Sequence, residues 1–302
     1  MIRYFLATIA LFSSIRSEEL YLGDSFEPAK AGCEIIWAEG VRNIPETVPH
    51  YSATDHRFSQ KTIRYFKELG GFTDKHSVPP LENLPSRKDS EVYSTEMKHL
   101  DISPVSGGLI YRYSQDDAAK NLEEAPTVES VRVKAKNLAV TLGFDLSSLA
   151  LDHVRFTSGT RTRFDRAAGK SVTTRTMSGV FMPRLYDGWP SNQSGIQVDY
   201  GLGGELLKFS ICWRDVKLAG QRTVPNRVEI AKRILQGRAT VFMESQIKPS
   251  RLNIDRVMIY YNEAEAFRLA KTVEPILFLG GVAEADGVKT AFSMYLKLPD
   301  GS

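Results

Sequence analysis

The residue types best suited to chemistry in this chain are its histidines and the acids beside them. Asp55 adjoins His56, and His99 lies two residues from Asp101, which are the groups a general acid–base pair would use. The spacing argues against a metal. None of the five histidines, at 50, 56, 76, 99 and 153, stands in a His-Glu-x-x-His frame or at zinc spacing from a cysteine. No Gly-x-Ser-x-Gly elbow occurs. The run Gly201 to Gly204 lacks the Lys-Ser/Thr of a phosphate-binding loop and leads into a strand-like segment, where such a loop needs a helix N-terminus. The sequence therefore assigns no catalytic residue, no metal and no cofactor. Asp55, His56, His99 and Asp101 are kept as the acid–base candidates of an alternative hydrolase reading.

Two other sets of residues carry binding or redox chemistry. Arg155, Arg161, Arg163 and Arg166, with Asp165 among them, form the densest basic patch, a candidate grip on an anionic partner such as a surface polymer. Cys33 and Cys212 are the only cysteines. In an oxidising compartment two such residues tend to pair, and the expected disulfide ties the early chain to the late chain.

The N-terminus points to that compartment. Met1-Ile2-Arg3 is a positive lead, Tyr4 to Phe12 an apolar run, and Ser13, Ser14 and Ser17 are small residues before Glu18-Glu19. That order is the layout of a secretory signal peptide over residues 1–17. No later stretch is long and apolar enough to span a bilayer, so a soluble, secreted or extracytoplasmic product is expected. Net charge is only +3 on 39 basic and 36 acidic residues, which argues against a nucleic-acid binder.

The elements that would position these groups differ along the chain. Residues 18–120 carry prolines at 45, 49, 79, 80, 85 and 104 and read as irregular, with a short helix at Ser59–Leu69 and a strand at Gly108–Tyr113. From Thr127 the pattern becomes regular. Thr127 caps a helix with Val128, Val131, Ala135, Leu138 and Leu142 at helical spacing. Strand-like runs follow to Trp213, the last alternating Leu207, Phe209, Ile211 and Trp213 against Lys208, Ser210 and Cys212. A second helix begins at Asn226, with Val228, Ala231 and Leu235 as its stripe, and more strands follow to Leu298. The expected fold is α+β: two antiparallel-sheet units, 121–220 and 221–302, each with a packed helix, preceded by the irregular region 18–120.

This order, with Arg175-Thr176-Met177-Ser178-Gly179-Val180, Gly195, Gly204-Glu205-Leu206, Trp213, Val257 to Tyr261 and Glu274-Pro275-Ile276, resembles the PepSY-like units of secreted protease propeptides. The tandem arrangement over 127–298 is also similar to extracytoplasmic regulators of a bacterial sensor kinase. The resemblance implies a non-enzymatic protein that binds or regulates another exported protein.

Overall fold

The computed structural model describes residues 32–41, 43–73, 90–114, 123–166, 169–243, 247–263 and 271–299. The expected signal peptide lies outside them. Of the described residues, 54% are in strands and 19% in helices, so the fold is mostly β and the α+β expectation is overturned. Only three α-helices occur among them: α1 (Gln60–Gly70), α2 (Val128–Thr141) and α3 (Arg227–Leu235).

The region read as irregular is where that expectation fails. It contains β1 (Glu34–Trp37), β2 (Thr47–Thr54), β3 (Glu91–Ser94), β4 (Lys98–Ser103) and β5 (Gly108–Tyr113). Two of its prolines, Pro49 and Pro104, stand at a strand position and at a turn. Pro104 opens the turn between β4 and β5, its carbonyl accepting from the Gly107 N–H at 3.2 Å. Pro49 stands inside β2, and its carbonyl accepts from the Tyr261 hydroxyl at 2.8 Å.

The described chain forms two compact units that interleave in sequence. The first is built from the chain up to Ser52, Lys217–Asn262 and Thr272 onward; the second from Ala53–Val216 and Glu263–Lys271. The remaining strands are β6 (Arg155–Asp165), β7 (Lys170–Tyr186), β8 (Trp189–Gly201), β9 (Leu206–Cys212), β10 (Asp215–Thr223), β11 (Thr240–Met243), β12 (Arg251–Asn262), β13 (Thr272–Ala285) and β14 (Val288–Lys297).

In the first unit β12, β13 and β14 are successive antiparallel neighbours, β1 joins β12 in parallel, and β11 joins β14. Strands buried on one face explain the alternation of Leu252 and Ile254, then Val257, Ile259 and Tyr261 beyond a bulge. Helix α3 is capped by the Asn226 side chain, as its sequence signature requires. Its buried side is Ile230 and Ile234, and Val228 is 79% exposed, so the stripe expected at Val228, Ala231 and Leu235 is rotated.

The second unit is a seven-stranded antiparallel sheet in the order β6-β7-β8-β9-β5-β4-β3. Cross-strand register places Phe156, Val180, Val198, Phe209, Tyr111, Leu100 and Tyr93 in one row across all seven strands. That apolar face packs with Phe66 of α1 and with Val131, Ala135, Leu138 and Ala139 of α2. Phe66 lies 4.7 Å from Phe209 and 5.6 Å from Tyr111, ring centre to ring centre. A shift of one residue in any strand would turn its row member to the opposite face, so this row fixes the register.

Cys33 and Cys212 form no disulfide. Both are free and buried, Cys33 in the first unit and Cys212 in the second. Cys212 does stand on the face of β9 opposite Ile211, as the alternation requires, but it is buried there among polar groups. Its sulfur accepts from Arg214 Nη1 at 3.0 Å. Burial, helped by the charge of Glu34, pushes the Cys33 thiol to about 11. Burial, helped by the charge of Glu263, pushes Cys212 to about 12. Both thiols are thus favoured in the protonated form by folding. The stability this carries is fully present below the ordinary thiol value of 9.0 and is lost as pH rises toward 11 and 12. At pH 8 neither cysteine of the folded protein is expected to react with iodoacetamide, while both react in guanidinium. Rapid labelling of either thiol in the folded chain contradicts the burial described.

Candidate functional site

Three polar constellations stand out in the second unit, and only one of them projects from the body of the sheet. Strands β6 and β7 pair from Arg155↔Phe181 out to Asp165↔Lys170, whereas β8 accompanies β7 only as far as Met177↔Gly201. The outer part, Thr160–Asp165 against Lys170–Arg175, is a two-stranded arm. Threonines stiffen it: Thr162 and Thr173 face each other with their hydroxyls 2.9 Å apart. At its base the Ala125 N–H donates to the Arg175 carbonyl at 3.0 Å, and Arg175 Nε donates to the Ala125 carbonyl at 2.8 Å.

The arm is strongly basic. Residues 160–175 hold Arg161, Arg163, Arg166, Lys170 and Arg175 against the single acid Asp165, a local +4 in a chain whose total is +3. The remainder of the chain therefore carries about one negative charge, and the basic excess is concentrated here. Arg163, Arg166 and Lys170 are exposed, and two large apolar side chains join them, Phe164 at 64% and Val172 at 42%. Arg161 and Arg163 share one face, with Val172 directly across from Arg163, and Phe164 lies on the other.

Arg155 belongs elsewhere. It donates to the Asn192 carbonyl at 2.6 Å and lies 4.4 Å from the Phe181 ring centre, roughly 20 Å back along β6 from Arg161. The four arginines of the sequence cluster are therefore separated into a tip group of three and one residue engaged at the base.

The second constellation occupies the sheet face opposite the apolar row. Thr157, Gly179, Asp199, Lys208, Arg112 and His99 are successive cross-strand neighbours there. Lys208 Nζ donates to Gln197 Oε1 at 3.0 Å, and Gln197 Nε2 donates to Asp199 at 3.1 and 3.3 Å. Burial raises the Asp199 carboxyl and lowers the Lys208 ammonium from their ordinary values; their mutual attraction opposes both shifts. Gly179 makes this approach possible, because a Cβ there would stand 2.0 Å from Asp199 Oδ1. His99 and Asp101 lie on β4 in this face, Asp101 buried across from Ile110.

His56 is held by a different group. Its Nδ1 sits 3.0 Å from Asp215 Oδ1, and Asp55 is exposed beside it. Among the described residues no three or more His, Cys, Asp or Glu side chains gather closely enough to hold a metal ion.

The third constellation is buried. Arg214 Nη1 donates to Glu263 Oε1 at 2.8 Å, with both side chains at most 1% exposed. The Tyr186 hydroxyl donates to Glu263 Oε2 at 2.7 Å, Arg184 Nη1 to the Arg214 carbonyl at 2.5 Å, and the Ser194 hydroxyl to the Cys212 carbonyl at 2.7 Å. Burial, and then the Glu263 carboxylate, drive the Tyr186 hydroxyl far above its ordinary value. This network fastens a segment 49 residues away in sequence to the end of the sheet.

The sequence reading missed Asp199, Lys208, Arg214 and Glu263. Lys208 carried a signal, as the polar member of an alternating strand. Glu263 carried none, since its partner is fixed only by the tertiary fold.

No family model and no curated protein matches the chain. Among solved structures, the chain is similar to an uncharacterized protein from Eubacterium rectale ATCC 33656, at 9% identity over 89% of this chain and 90% of that one, with a TM-score of 0.39. Likeness at that level carries no argument about function. No helix among the described residues is long and apolar enough to cross a membrane.

Proposed function

We propose that this chain is an exported, non-enzymatic binding protein whose β6–β7 arm takes hold of an acidic segment of another protein. The observation that carries the reading is the arm itself, a projecting strand pair with a net positive charge that exposes one large apolar side chain on each face, Val172 on the arginine face and Phe164 on the other. Exposed Phe164 and Val172 add apolar area beside the arginines, which the apolar side chains of a protein partner would cover. On the opposite sheet face, by contrast, Lys208 and Asp199 are already held together through Gln197.

The resemblance of residues 127–298 to PepSY-like units supports the same kind of role. The helix-then-strand runs α2–β9 and α3–β14 are not separate sheet-and-helix units, since each shares its sheet with strands from the first half of the chain. Export rests on the N-terminal pattern alone, since the disulfide that would have accompanied it is absent.

The test compares the chain with a variant carrying Arg161→Glu, Arg163→Glu and Arg166→Glu. The unaltered chain is expected to bind acidic protein ligands with an affinity that falls as salt rises, and the variant to lose that binding. Equal binding by both proteins, binding to heparin alone, or robust turnover of a small substrate overturns the proposal.

A further inference from the structure

The two edges of the seven-stranded sheet are unlike. At one end β3 is four residues long, a short edge of the kind that resists pairing with another chain. At the other end β6 runs for eleven residues and, among the described residues, pairs only with β7. A strand edge of that length presents a row of backbone N–H and C=O groups with no partner strand.

Charge decides what such an edge will accept. Arg161, Arg163 and Arg166 on β6 and at its end, with Lys170 across the turn, would repel the same arm of a second copy. They attract a strand that carries acids. We infer that the partner's acidic segment binds as an added β-strand along the outer edge of β6, an inference that rests on the arm being the binding element.

The geometry fixes the pattern of that segment. Side chains of neighbouring strands align face by face, so acids two residues apart stand beside Arg161 and Arg163. The residues between them fall on the side of Thr162 and Phe164, where an apolar side chain is favoured. The partner is thus an extended segment alternating acidic and apolar residues. Main-chain hydrogen bonds supply affinity and the alternate arginines supply selectivity, as in other strand-addition complexes.

The experiment uses the full chain with two short synthetic peptides, one alternating Glu and Val, the other alternating Lys and Val. A third peptide has the Glu and Val residues in separate blocks. The Glu–Val peptide is expected to bind and to slow hydrogen exchange of backbone amides within residues 155–165. The Lys–Val and block peptides are expected to bind at least about tenfold more weakly. Arg161→Glu with Arg163→Glu exchanges the preference, so that the Lys–Val peptide becomes the better ligand, a gain that an unfolded variant does not produce. Binding of the Glu–Val peptide with exchange of the β6 amides unchanged overturns strand addition while leaving the arm as a binding element. Equal binding of the alternating and block peptides overturns it as well. Failure of the chain to bind any acidic ligand removes the parent proposal and this one together.

Discussion

Replacing Arg214 by Ala is expected to lower the unfolding free energy by about 3–5 kcal/mol, enough to unfold a marginal domain. The size follows from burial. Glu263 is fully enclosed, and without the guanidinium its carboxylate keeps one donor, the Tyr186 hydroxyl, where it had two. The same loss is expected for Glu263→Ala, which strands the arginine instead. Tyr186→Phe removes the hydroxyl's bond to Glu263 and leaves the ion pair, so about 1–3 kcal/mol is expected there. The double variant Arg214→Met with Glu263→Leu removes both charges together and is expected to recover most of the loss. Denaturant titration of the four proteins checks the series. A change below about 1 kcal/mol for Arg214→Ala would mean that this network does not hold the Glu263 segment to the sheet.

Local pattern carried a good part of the architecture. Thr127 and Asn226 are side-chain caps in the structure, each accepting from the N–H three residues on. The strand at Gly108–Tyr113 stands as read. What local pattern could not convey was partnership. β3 and β4 are strands because β5 and β9 extend the ladder beside them. Pro49 and Pro104 read locally as breakers, yet one sits within a strand and the other opens a hairpin turn. The arginine cluster was visible as composition, but its division into an engaged Arg155 and a projecting group depends on where β8 stops, which is a tertiary fact. The cysteine pairing failed for a related reason: alternation gives the face a residue occupies, and not what covers that face.

The projecting arm is the part of this chain whose sequence makes least sense as support for the fold, and trimming it separates the two roles. Thr160 and Arg175 are cross-strand neighbours, so replacing residues 161–174 by Asn-Gly closes β6 onto β7 with a two-residue hairpin turn. The Arg175 carbonyl and guanidinium keep their bonds to Ala125, and every residue of the apolar row remains. The trimmed chain is therefore expected to fold with a stability within about 0.5 kcal/mol of the full chain. Its binding of acidic protein ligands is expected to vanish, because the tip arginines, Lys170, Phe164 and the outer half of β6 leave together. Titration calorimetry of the trimmed and full chains against the same acidic ligand, beside their denaturant unfolding curves, reads both quantities. A stable trimmed chain that no longer binds is the expected result; a stable trimmed chain that binds as before contradicts the arm's role in recognition.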